Sequence, residues 1–368
     1  MQESLLTIVS AKLSAPEIFS QAYKEMKHNH PELTRMNIVV CVDELLVSYF
    51  LTDELKETNI DDNSTIVPIN RNNSRLVPRI IASEINNEHT GELSMTLYER
   101  GHRGRFIYPV VIAGEIKGYI FINSSEPQYF SGVNHDNFEV YCDQLSRVIL
   151  NTCYQRAQIT TALNIMLSMG RERDPETNEH LLRMAQYTNV IARKLAKKNN
   201  ISDDFIYQMT AYAPMHDIGK FKVEDNILFS TKSFTDEERK LMNHHVNYGL
   251  DIVNKIRFLF CNEMKSEYCV LSNIICSHHE RFDGKGYPNK LKGKNIPLES
   301  RIVAIADVFD ALLSKRKYKS AWSLSEVKKY MIDNSGLMFD PDCVSALIEC
   351  IDELSQIHTN LIDPVDVC

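Results

Sequence analysis

The sequence predicts an α+β domain joined by a long helix to an all-α domain. Three observations predict it. Strand-like runs and a hairpin signal are confined to the first third of the chain. An unbroken helical period then runs from about Phe138 toward Met169. From Asp174 onward the patterning is almost wholly helical. A length of 368 residues suits two domains of ordinary size. The expected boundaries are 1–150, a linker helix over 151–173, and 174–368.

Residues from about Leu5 to Met26 carry helical periodicity. The period then changes. Met36 to Val42 is β-rich, Leu46 to Phe50 is a pairing partner, and Thr65 to Ile69 is a further short strand. Phe106 to Ile112 and Lys117 to Ile122 flank Ala113-Gly114-Glu115, which predicts a hairpin. Pro109 demotes part of its first strand to an edge or a bulge. In the long helix, Phe138, Tyr141, Leu145, Val148 and Ile149 recur at helical spacing. A helix of this length serves as a connector or as the stalk of a homodimer. Beyond it, Ser202 is an N-cap for Asp203 to Ala213, and Thr235/Glu238 and Ser323/Glu326 are capping-box pairs. Arg301 to Leu313 is apolar enough to be a buried helix.

Composition bounds the partners. Apolar residues make up 43% and charged residues 24%, which is enough apolar material for two cores. A net charge of −8 disfavours a nucleic-acid duplex as main partner, but allows a small phosphate ligand in a local basic pocket. No apolar run approaches the ~20 residues of a membrane span. The nine cysteines contain no C-x-x-C pair. With Met1-Gln2-Glu3-Ser4 not a basic leader, they read as reduced thiols in a cytoplasmic protein. Cys41, Cys142 and Cys153 fit the role of small buried hydrophobes better than that of a redox or chromophore site.

Histidine usage carries the chemistry. Six of the twelve histidines fall between 180 and 279. Adjacent imidazoles and His-Asp neighbours are what a cluster of divalent metals needs, with imidazoles as terminal ligands and a carboxylate as bridge. Glu176 and His180 are four apart, so one helical face presents both. On a helix, His216 and Asp217 diverge by about 100° and serve neighbouring positions. The pair His278 and His279 can do the same. Asp307 sits inside the apolar helix Ile302 to Leu312, where an acid needs a cation or a strong partner. Spacing alone leaves His244 and His245 as alternatives. The isolated His28, His30, His89, His102, His135 and His358 read as solvated or capping residues.

At these residues the chain resembles the HD-GYP domains, a subgroup of the HD metal-dependent phosphohydrolases, over about Asp174 to Ala346. The matching runs are Glu176 to His180, His216-Asp217-Ile218-Gly219-Lys220, His245-Val246-Asn247-Tyr248-Gly249, His278 through Pro288, and Ala306 through Leu312. The match picks His245 over His244, because His245 stands four residues before Gly249. The resemblance implies an all-helical core holding two or three divalent ions, commonly iron, sometimes manganese. It also implies hydrolysis of cyclic di-GMP to pGpG or GMP.

It implies His180, His216, His245, His278, His279 and Asp307 as terminal ligands and Asp217 as the bridge. Glu176 would belong to a third ion. Asp217 and Lys220 are the implied catalytic residues, and Lys220, Gly286, Tyr287, Asp310, Arg316 and Lys319 the substrate contacts. Tyr287 can equally pack in its turn. Phe221 to Glu224 and Lys317 depart from the family pattern and put loop shape, not the ligand set, in question. A signalling module that binds cyclic di-GMP without hydrolysis and a phosphohydrolase for another nucleotide remain alternatives. Residues 34–150 are similar to a GAF domain in strand order and closing hairpin, which implies a sensor or dimerisation role with an unknown small-molecule ligand.

Overall fold

A computed structural model describes residues 15–42, 45–55, 67–68, 79–86, 92–171, 177–199, 201–257, 265–314 and 321–361. The chain divides into two compact units, with the boundary between Ala157 and Gln158, inside the long helix. The expected substrate contacts Arg316 and Lys319, the expected ligand Glu176 and the start of the first predicted helix lie outside the described residues.

The first unit opens with helix α1, Ala15–Asn29. Strands β1 (Leu33–Val42), β2 (Leu45–Asp53), β3 (Val67–Pro68) and β4 (Ile81–Glu84) follow. Then come helix α2 (Glu92–Glu99) and strands β5 (Gly104–Ile112) and β6 (Glu115–Ser124). The described strands form one antiparallel sheet in the order β3-β2-β1-β6-β5-β4. β5 and β6 are the predicted hairpin. Ala113 (φ 49°) and Gly114 (φ 83°) form its two-residue turn, a left-handed conformation that suits the twist of paired strands. Pro109 keeps its place because β4 pairs only with Gly104 to Ile107, and the register shifts just beyond it, between Val110 and Val111. A proline that donates no hydrogen bond sits where none is required.

Met36, Ile38, Phe106, Ile120 and Ile122 are fully buried in this unit. Helix α1 packs on the sheet through Phe19 and Tyr49 (ring centroids 5.8 Å apart). The long helix α3, Val133–Arg171, packs through Phe138 against Phe106 at 6.1 Å. Two histidines read as solvated are in fact internal. His30 is buried and faces the Tyr129 hydroxyl at 2.9 Å. His102 is fully buried, with Nδ1 2.7 Å from Thr34 Oγ1 and Nε2 3.3 Å from Asp53 Oδ1. Arg35 and Arg100 approach the other Asp53 oxygen at 3.6 and 3.7 Å. An isolated histidine in sequence gives no sign that a distant aspartate will meet it. Cys142 is fully buried and Cys41 and Cys153 partly so. Burial pushes the Cys41 thiol up to about 11, out of the reactive range.

The second unit is helical. Its elements are α4 (Asn178–Asn199), α5 (Asp203–Tyr212), α6 (Asp225–Leu228), α7 (Asp236–Asn243), α8 (His245–Lys255) and α9 (Lys265–Ser277). They continue with α10 (Leu298–Leu313), α11 (Leu324–Asp333), α12 (Pro341–Glu349) and α13 (Ile351–Asn360). The predicted caps are present: Ser202 accepts from Phe205 N–H, and both capping boxes close reciprocally. Tyr187, Ile191 and Leu195 recur at one-turn spacing on α4 and are buried, as are Ile302, Ile305 and Phe309 on α10. Tyr187 meets Phe309 edge-on at 5.4 Å. That contact fixes α4 against α10 and so sets His180 near Asp307 and Asp310. No described helix is long and apolar enough to cross a membrane.

Candidate metal centre

The ligand-bearing segments are mostly helix ends and turns. His180 lies in the first turn of α4, where its N–H donates to Thr177 Oγ1 at 3.1 Å. His216 and Asp217 do not share a helix as the spacing suggested. They stand between two 3-10 turns, Ala213–Met215 and Ile218–Lys222. Pro214 lies in the first turn of the first of these and cannot continue the ordinary helical ladder. His278 and His279 likewise sit in the turn just after α9. His245 is the first residue of α8, buried, while His244 is exposed.

Two glycines let these pieces meet. A Cβ on Gly219 would stand 1.8 Å from the carbonyl oxygen of His245 and 2.4 Å from Gly249 N. The turn carrying Asp217 is therefore pressed backbone-to-backbone onto α8, which carries His245. Only hydrogen at position 219 allows that approach. The Gly in both H-D-x-G-K and H-x-x-x-G is thus a packing requirement.

The atoms converge as follows. Nδ1 of His216, His245 and His278 faces the carbonyl oxygens of Ala213, Met242 and Ile274 at 2.9, 2.7 and 3.0 Å. A carbonyl only accepts, so each Nδ1 carries the ring proton and each Nε2 a lone pair. Asp217 Oδ1 lies 3.0 Å from His245 Nε2 and 3.5 Å from His278 Nε2. Its Oδ2 lies 3.3 Å from His216 Nε2 and 2.8 Å from Lys220 Nζ.

Among the described residues, Asp217 Oδ1, His245 Nε2 and His278 Nε2 are buried without a hydrogen-bond partner. Lone pair facing lone pair, away from water, is an arrangement that a cation resolves. Burial alone pushes the Asp217 pKa up, but the Lys220 ammonium beside it outweighs burial and holds the carboxyl well below its usual range. Burial pushes His278 and His279 down, toward the neutral form that ligates metal.

Two groups of donors result. One atom each from Asp217, His245, His278 and His279 lie within 4.8 Å of one another, and so do atoms from His180, His216 and Asp307. Asp217 belongs to the first group and touches His216 of the second, so its carboxylate lies between the two donor groups. The donor set of imidazole and carboxylate suits a divalent transition metal.

The expected substrate contacts fare differently. Lys220 is at the cluster, paired with Asp217. Tyr287 stacks on His279 (ring centroids 4.7 Å, interplanar 27°), which favours the packing alternative for its ring. Gly286 is buried, and a Cβ there would stand 2.3 Å from Arg281 N and 2.6 Å from His279 O. It closes the turn over His279, while Glu280 holds the turn from below by accepting the N–H groups of Asn289 and Leu291 at 2.7 and 3.0 Å.

Asp310 corrects its expected role. It is buried behind His180, accepting from His180 Nδ1 at 2.7 Å and from Arg183 Nε and Nη2 at 2.6 and 2.9 Å. With both oxygens engaged inside the protein, it has none left for substrate. His358 of α13, read as solvated, completes this group with Nδ1 3.7 Å from Asp310 Oδ1. Arg183 went unnoticed in sequence, although its place three residues after His180 on one helix face was a usable sign.

Residues 175–343 match the HD domain family. This segment is an HD domain. The cyclic di-GMP phosphodiesterase response regulator RpfG of Xanthomonas campestris is 38% identical over 185 residues, 50% of this chain and 46% of that protein. The 3′3′-cGAMP-specific phosphodiesterase 2 of Vibrio cholerae is 30% identical over 260 residues, 67% of this chain and 48% of that protein. The chain thus spans about half the length of the curated relatives it matches. The GAF domain of an Acinetobacter phosphoenolpyruvate-protein phosphotransferase aligns with a TM-score of 0.30 at 17% identity, over 42% of this chain and 92% of that one. The HD domain begins just before α4 and contains every donor of the two groups.

Proposed function

We propose that the HD domain is a metal-dependent phosphodiesterase that hydrolyses cyclic di-GMP to pGpG or GMP. The observation that carries this reading is the buried, partnerless convergence of Asp217 Oδ1 with the Nε2 atoms of His245 and His278. The relatives' names supply the substrate class.

In this reading His245, His278 and His279 hold one divalent ion, His180, His216 and Asp307 a second, and Asp217 bridges. Glu176 would serve a third. Iron and manganese both suit these donors. Bound there, such ions supply Lewis acidity to a phosphoryl oxygen and lower the pKa of water.

The chain's own residues do the remaining work. Backbone carbonyls lock the imidazole tautomers. Asp217 stays ionised because Lys220 neutralises it from one side. The Lys220 ammonium, partly exposed at the edge of the cluster, offers positive charge to a non-bridging phosphate oxygen as negative charge builds there. Arg316 and Lys319 are proposed for the second phosphate of the ring. The N-terminal unit is proposed as a GAF-like sensor for a small molecule. A homodimer through α3 has support in Val140, Tyr154 and Ile165, which are exposed and spaced by near-whole turns along one stripe.

A second substrate reading has its own support: the alignment to a 3′3′-cGAMP-specific enzyme covers 67% of this chain, against 50% for that to the cyclic di-GMP enzyme RpfG. Protein purified without oxygen and supplied with Fe(II) or Mn(II) is expected to release linear dinucleotide or GMP from cyclic di-GMP, followed by chromatography. Faster turnover of 3′3′-cGAMP would shift the substrate assignment. No hydrolysis of either, with metal bound, would leave a binding module.

A further inference from the structure

We infer that Arg183, Asp310 and His358 act together as positioning residues that set the tautomer of His180 and thereby build one of the two metal positions. The inference rests on the reading of the cluster as a metal centre, and it assigns work to a helix beyond the HD match. That match ends at residue 343, whereas His358 lies on α13, Ile351–Asn360.

The geometry is specific. His180 reaches the cluster with one nitrogen and Asp310 with the other. A carboxylate oxygen at 2.7 Å only accepts, so Nδ1 carries the proton and Nε2 is left as the donor atom toward His216 and Asp307. What keeps Asp310 in place is Arg183, fully buried, whose guanidinium grips both carboxylate oxygens at 2.6 and 2.9 Å. Arg183 is itself held by the Leu361 carbonyl at 2.5 Å and the Ser314 hydroxyl at 3.3 Å. From α13, His358 stands 3.7 Å from Asp310 and 3.3 Å from the Tyr187 hydroxyl. The other three ring nitrogens of this kind are fixed by nearby backbone carbonyls within their own segments. Among these four, His180 is the one whose tautomer depends on a side chain 130 residues away. Its metal position should therefore respond to changes that leave the neighbouring position intact.

Asp310→Ala separates this from a general packing role. It removes the carboxylate that accepts from His180 Nδ1 and leaves Arg183, which only donates, beside the ring. With no acceptor left at Nδ1, His180 carries its proton on Nε2, facing the metal position with a donor where a lone pair is required. The test uses Mn(II) on the full chain, counting bound ions per chain by elemental analysis after gel filtration. In parallel, long-range ¹H–¹⁵N spectra of metal-free protein read the His180 tautomer, assigned by difference from His180→Gln.

Asp310→Ala is expected to lose one ion per chain, keep the other, and move His180 to the Nε2–H form. His358→Ala is expected to keep the Nδ1–H tautomer but weaken the same ion by several-fold. Arg183→Lys supplies an independent readout should Asp310→Ala fail to fold, with the same selective loss expected. Wild-type ion counts in the folded variants, or an unchanged His180 tautomer in Asp310→Ala, overturn the inference. Wild-type protein that binds no Mn(II) or Fe(II) instead overturns the metal-centre reading beneath it.

Discussion

The molecule builds two buried groups from the same residue types, and only one of them faces a cluster of further donors. In the N-terminal unit, Asp53 collects His102, Arg35 and Arg100. In the C-terminal unit, Asp310 collects His180, Arg183 and His358. The difference lies at the second imidazole nitrogen. That of His102 meets the Thr34 hydroxyl at 2.7 Å, so the ring is enclosed by protein on both sides. That of His180 turns toward His216 and Asp307. In one case the aspartate secures a fold, and in the other, on the reading proposed above, it aims a ligand. Burial and charge pairing therefore do not mark a functional site by themselves.

Substitutions can break or sharpen this contrast. The largest effect belongs to His216→Ala combined with Asp217→Ala, which removes the bridge and a terminal donor. Bound metal should disappear and hydrolysis should fall by well over about 10²-fold, the scale lost with one preorganised electrostatic contact. Wild-type cleavage of cyclic di-GMP by this variant would sink the site assignment.

Gly219→Ala comes next. Its methyl group meets a backbone carbonyl, which cannot rotate away, so the Asp217 turn must lift off α8. A stability loss of at least about 1–3 kcal/mol and a marked fall in metal content are expected by chemical denaturation and elemental analysis. Gly249→Ala is the control. Its Cβ would meet the Ile275 side chain at 2.6 Å, a group able to shift, so the loss should be smaller. Equal losses would show that the backbone crossing is not what brings Asp217 to His245.

Asp53→Ala should cost about 3–5 kcal/mol in the N-terminal unit, since it strands buried cations. It should leave the metal count unchanged. A changed count would mean that the two groups are not separate in kind.

Much of this was legible before any coordinates. The hairpin at Ala113-Gly114, the caps at Ser202, Thr235 and Ser323, and the buried helix ending at Leu313 all follow from local periodicity and turn chemistry. The histidine and aspartate runs stood out because adjacent ligating residues are rare in ordinary cores. His102, His358 and the place of Asp310 were not legible. Each depends on a partner far along the chain, and no local pattern records such a meeting. The 3-10 setting of Asp217 was missed because helical spacing and a pair of tight turns leave similar traces over so few residues.

The sequence by itself determined which side chains are able to hold a divalent ion and which short segments carry them, because ligand chemistry and turn propensity are properties of neighbouring residues. Tertiary structure alone decided that Asp217 stands between two donor groups, that Asp310 serves His180 and not a ligand, and that α13 reaches this network. The physical reason is that tautomer, charge state and accessibility are set by what packs against a side chain, and those contacts form only when distant helices close around a common core.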